Sequence, residues 1–118
     1  MISQTLYKIV SYSYRSIDGY YNEKLELLYQ LNQKVIPIAG KIFCYKTLTD
    51  ARQNYCSGII LKGIGTNPYN PKFVCQLKKQ YVQFWKEIAS KKQVTTRIVK
   101  PPSGTVLVDS FTPTEIVI

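Results

Sequence analysis

The segment Arg97-Ile98-Val99-Lys100-Pro101-Pro102-Ser103-Gly104-Thr105 holds residue types well suited to gripping an anion. Along an extended chain, alternation sets Arg97 and Val99 on one side and Ile98 and Lys100 on the other. The double proline then stiffens a turn that offers the hydroxyls of Ser103 and Thr105 together with backbone N–H groups. A guanidinium beside such fixed donors can hold a phosphate through charge-assisted hydrogen bonds. The same residues also make an ordinary hairpin turn. Arg15, in a loop, and Arg52, in a short helix, are further candidates for a phosphate contact.

A second group lies just upstream. Tyr81, Phe84 and Trp85 put three aromatics within five residues. Phe73, Val74, Leu77, Tyr81, Phe84, Trp85 and Ile88 recur at helical spacing and predict an amphipathic helix over 71–91. Asn70 is its expected N-cap and Pro71 its first helical residue. Phe84 and Trp85 point about 100° apart, so one can pack inward while the other stacks on a base or a second subunit. The opposite face carries Lys72, Gln76, Lys79, Gln83, Lys86 and Ser90, with no acid among them. Such a stripe is either a solvated helix face or a track for nucleic-acid phosphates.

Charge supports an anionic partner. Sixteen Lys and Arg oppose seven Asp and Glu, giving +9 over 118 residues. Nine of the basic residues fall between Lys62 and Lys100, where Glu87 is the single acid. That field attracts nucleotides, nucleic acid or an acidic surface. The chain has no histidine, which excludes Ser-His-Asp and Cys-His catalysis, His-ligated zinc and a histidine pH switch. Gly63-Ile64-Gly65 lacks the third glycine and the Lys-Ser/Thr of a phosphate loop. No pair of acids forms an acid/base motif, so no enzyme, metal or cofactor is expected. Cys44, Cys56 and Cys75 match no zinc spacing, and their apolar neighbours predict buried reduced thiols and a cytoplasmic location. The N-terminal MISQTLYKIV is no signal peptide, no leader is expected, and no stretch is long enough to span a bilayer.

The elements that must position these residues read as one α+β domain over 1–118. Strands are expected at Leu6–Tyr12, Lys41–Thr47, Ile59–Ile64, Val94–Lys100, Thr105–Asp109 and, at an edge, Glu115–Ile118. Residues 13–22 read as a loop. Residues 23–32 fit a strand or a helix, and the extended register that follows favours the strand. A short helix starts near Leu48, with Thr49 as N-cap, Asp50 in the first turn and Gly58 as its stop. The sum is a mostly antiparallel sheet of five to seven strands with one short and one long amphipathic helix.

Three stretches carry a resemblance: the opening Tyr7-Lys8-Ile9-Val10-Ser11, the run Gly40-Lys41-Ile42-Phe43-Cys44-Tyr45-Lys46-Thr47-Leu48-Thr49-Asp50-Ala51, and the closing Gly104-Thr105-Val106-Leu107-Val108-Asp109-Ser110. With the size, basic charge and two-helix plan, this layout resembles the phage anti-Thoeris sponge proteins. The resemblance implies a non-enzymatic oligomer in the infected host's cytoplasm. It would sequester a cyclic ADP-ribose-like signal or a cyclic oligonucleotide in pockets between subunits. The residues themselves point to capture of a small anionic nucleotide, with Arg97, Lys100, Ser103 and Thr105 on phosphate and Tyr81, Phe84 or Trp85 on a base. The aromatic helix also predicts a homo-oligomer joined near Tyr81–Ile88. The alternatives are a nucleic-acid-binding module using the lysine stripe, and a protein that docks on an acidic protein surface. Under the lead reading, nucleic acid binds only weakly and nonspecifically.

Overall fold

Alternating apolar residues near the N-terminus and after Gly40 form strands in a computed structural model that describes residues 2–16, 26–76 and 80–117. Five of them make an antiparallel sheet: β1 (Ser3–Val10), β2 (Ile42–Tyr45), β3 (Ile59–Thr66), β6 (Thr105–Val108) and β7 (Ser110–Ile116). Their order is β6-β2-β1-β3-β7. β4 (Val74–Cys75) and β5 (Ile98–Val99) form a separate two-stranded antiparallel ribbon. Among the described residues there are two helices, α1 (Leu48–Gln53) and α2 (Tyr81–Ala89). The class is α+β with mostly antiparallel strands, as the sequence predicts.

Period-two alternation places the core. Leu6 and Val10 of β1 join Cys44, Leu61, Val106, Val108 and Phe111 in one buried cluster. Tyr29, Val35 and Ile42 complete it, and Tyr29 meets Phe111 edge-on at 6.2 Å. A second cluster gathers Tyr45, Ala51 and Ile60, with Tyr7, Ile9, Leu48 and Tyr55 packed against it. Each buried aliphatic or aromatic side chain contributes about 1.5–3 kcal/mol. Pro113 sits in β7 at the sheet edge, beside the register shift at Lys62/Gly63, where the missing N–H disturbs the ladder least.

Several expected boundaries move. The long helix begins at Tyr81 rather than 71, because Val74 and Cys75 are paired in register with Val99 and Ile98. Phe73 contributes to the same aromatic cluster from outside the helix, meeting Phe84 edge-on at 6.1 Å, so helical spacing misassigned it. Asn70 and Pro71 therefore cap nothing. Lys72 and Gln76 lie outside α2, which breaks the continuous lysine stripe; Leu77, Lys78 and Lys79 fall outside the described residues.

The strand expected over 94–100 contracts to Ile98–Val99 because Thr95 turns to the helix. Its N–H and Oγ1 donate to the Glu87 carboxylate at 3.0 and 2.6 Å. The N-cap of α1 is Thr47, not Thr49: its Oγ1 accepts from the Asp50 N–H at 3.0 Å. The helix ends at Asn54, well before Gly58. Glu115 and Ile116 do not open a last strand but end β7.

The described part of 23–32 is not a strand. It turns at Asn32 (φ 62), whose N–H donates to Pro113 O, and the chain just beyond is held to the sheet by an isolated bridge in which Val35 and Phe111 exchange both backbone hydrogen bonds. Residues 17–25, which hold the rest of that segment and of the expected loop, lie outside the described residues. No helix among the described residues is long and apolar enough to cross a membrane.

Candidate functional site

The sheet is forked. β1 pairs with β3 over eight residues, but with β2 only at Tyr7↔Tyr45. Beyond that point Ser16 folds back to bridge Val10, so β2 diverges from β1. Lys8 sits at this fork. It occupies the apolar stripe of β1 between Leu6 and Val10 and is only 8% exposed. Its ammonium donates to Phe43 O at 2.7 Å and lies 5.8 Å from the centre of the Tyr29 ring, within cation–π range.

Taking an ammonium out of water costs several kcal/mol unless it is paired. Among the described residues the one ion pair joins Lys41 to Asp109; no carboxylate answers Lys8. An ammonium has three N–H donors, so one carbonyl leaves it capacity for another acceptor.

A cleft of about 100 Å3 opens beside this group. Lys8, Tyr29, Phe43, Tyr81, Phe84 and Trp85 contribute to its walls. Trp85 enters because Gly40 (φ 66) has no side chain: a Cβ there would fall on the indole. Edge-on contacts with Tyr81 at 6.2 Å and Phe84 at 5.3 Å hold the ring. Tyr81 in turn donates its hydroxyl to Lys41 O at 2.8 Å. The Trp85 Nε1–H is buried and has no hydrogen-bond partner among the described residues. A buried orphan donor is uncommon in folded proteins and calls for a reason.

The Cys44 thiol, pushed up to about 12 by burial against a smaller opposing pull from the Lys8 charge, stays protonated. Asp109 is held below the usual carboxylate range by hydrogen bonds from Lys41 and Asn67, which ties the strand ends near the cleft.

Lys8, Phe43, Val74 and Cys75 also wall a wider groove of about 440 Å3, bordered by Asn54, Val99 and Pro102. Of the expected anion-binding residues, Arg97, Lys100 and Ser103 are exposed just before and after β5 and line neither cavity, although Val99 and Pro102 between them line the groove. The Arg97 backbone is fixed by bonds to Gln76 and Gln80.

Thr105 is buried and donates its hydroxyl to Pro102 O at 2.6 Å, inside the turn. Arg52 and Arg15 are exposed and line neither cavity. Tyr81, Phe84 and Trp85 do come together, and they face inward: within 81–88 the exposed side chains are Gln83, Lys86 and Ile88.

Sequence reasoning missed Lys8 and Lys41. A lysine at the centre of an apolar strand stripe is the signal that could have found the first. Compared with protein-family models, curated proteins and solved structures, the chain finds no match.

Proposed function

We propose that this protein is a non-enzymatic binding protein that captures a small anionic nucleotide. The base enters the aromatic cleft, and the phosphate lies toward the groove lined by Val99 and Pro102, whose chain neighbours Arg97, Lys100 and Ser103 would reach it from the exposed rim. The observation that carries this reading is the buried Lys8 ammonium, answered by no carboxylate among the described residues, in the wall of an aromatic cavity. A cation so placed favours a ligand that brings negative charge or strong acceptors. Aromatic walls favour a planar ring.

Capture is favoured over conversion because no carboxylate among the described residues lines the cleft. The likeness in layout to phage sponge proteins supplies a role, lowering the free level of a nucleotide signal in the infected cell. The nucleic-acid alternative loses its main premise, since Lys72 and Lys86 do not share one helix face.

Calorimetric titration with uridine and guanosine monophosphates, beside the corresponding nucleosides and a single-stranded oligonucleotide, tests the proposal. The expected result is mononucleotide binding that weakens little with salt, and oligonucleotide binding that is weak and steeply salt-dependent. Tight oligonucleotide binding with no mononucleotide binding would overturn it.

A further inference from the structure

Part of the sheet has a bare face. Side chains of directly paired strand residues project to the same side. On one side, α1 residues Leu48 and Ala51 pack with Tyr7, Ile9 and Ile60. Along β3 that cover thins: Ile60 is fully buried, Lys62 half-buried and Ile64 37% exposed. Thr5 of β1 and Thr112 of β7 flank Ile64 in register. The face continues past β7, where Val35 bridges Phe111. Val35 turns into the core. Its neighbour Ile36, kept extended by the following Pro37, projects to the other side and is 63% exposed.

Lys62 and Glu115 indicate what covers this face. They stand opposite each other in the ladder, beside the Ile64–Thr112 pair. Yet they make no ion pair; among the described residues the one such pair is Lys41–Asp109. A chain of net charge +9 repels its own copies except where a surface carries both signs. This surface does. We propose that it is the contact between two copies of this chain, packed sheet on sheet about a two-fold axis. An axis running along the strands between β3 and β7 sets Lys62 of each copy over the partner's Glu115, and Ile64 over the partner's Thr112. It also lays β1 of each copy over the partner's Lys34–Ile36 segment, so the exposed isoleucines are covered. None of Thr5, Ile36, Lys62, Ile64, Thr112 and Glu115 lines the cleft, and nucleotide capture does not depend on this contact.

Sedimentation velocity on the full chain, from low to high micromolar concentration, is the test. The expected result is a reversible dimer. Lys62→Glu sets acid against acid at both contacts, and Glu115→Lys sets lysine against lysine. Each should raise the dimer dissociation constant at least about tenfold. Combining the two exchanges restores opposite charges and should bring the constant back to within about threefold of the unaltered chain. Ile64→Asp leaves both charges in place and puts a carboxylate into the contact, so it should give monomer. Thermal melts confirm that each variant is folded; these exposed or half-buried positions lie outside the core.

A monomer at every concentration overturns the inference. A dimer that survives Ile64→Asp and both single exchanges overturns the choice of face. Loss of the dimer in both single exchanges without recovery in the combined one overturns the two-fold pairing of Lys62 with Glu115.

Discussion

Lys8→Met separates a binding residue from a structural one, because the two roles predict opposite changes in stability. In the folded protein the Lys8 ammonium forgoes water at a cost of several kcal/mol. It recovers about 1.5–3 kcal/mol from the charged hydrogen bond to Phe43 O and about 0.5–2 kcal/mol from the Tyr29 ring. These terms nearly balance or leave a deficit. Methionine keeps an unbranched chain in the same apolar stripe and removes the charge. It leaves Phe43 O without its ammonium, a loss of about 1–3 kcal/mol that the relieved desolvation offsets. The net expectation runs from no change to about 2 kcal/mol of stabilisation, a melting temperature unchanged or raised by roughly 5–10 °C. Nucleotide binding should weaken by about 1.5–3 kcal/mol, ten- to more than a hundredfold. Thermal melts and titration with GMP on the same samples read both quantities. A fall in stability of about 2 kcal/mol or more would refute the reasoning, because Lys8 would then be a fastening of the fork. Unchanged binding in a stable variant would refute it equally.

Arg97→Lys keeps the charge and loses the planar fork, so nucleotide binding should weaken about tenfold while stability shifts by less than about 0.5 kcal/mol; equal binding in titration would take the phosphate away from β5. Gly40→Ala forces a Cβ onto the indole at a positive φ and should destabilise by roughly 2–4 kcal/mol. Because Trp85 is the single tryptophan, its emission should shift to the red, and an unchanged spectrum and melt would show that the indole does not rest on Gly40. Hydrogen bonds from Thr95 hold Glu87 below its ordinary range, so that stabilisation is complete above the unfolded carboxylate value near about 4.3 and is lost as pH falls through the lower folded value. Thr95→Ala should lower the melting temperature at pH 7 and flatten its fall between about pH 5 and 3, making the two curves converge in acid; parallel curves would count against the linkage.

Strand content was legible because alternation is local: Leu6 and Val10, or Cys44 opposite Phe43 and Tyr45, declare a pleated segment with one face against a core. The charge bias and the Tyr81, Phe84, Trp85 cluster were equally legible, being properties of composition and short spacing. Tertiary structure decided the rest. Phe73 and Val74 fit a helix in the sequence, yet ladder pairing with Ile98 and Val99 recruited Val74 and Cys75 to a strand, since pairings such as Val74 with Val99, far apart in the chain, leave no local mark. Which aromatics face inward depended on Gly40 lying under Trp85, a contact 45 residues apart in the chain. The cleft depended on β2 leaving β1 after a single paired position, which puts a strand lysine beside a carbonyl in place of a continued ladder. A residue's type states what it can donate or accept; only the fold determines whether water or another side chain has already answered it.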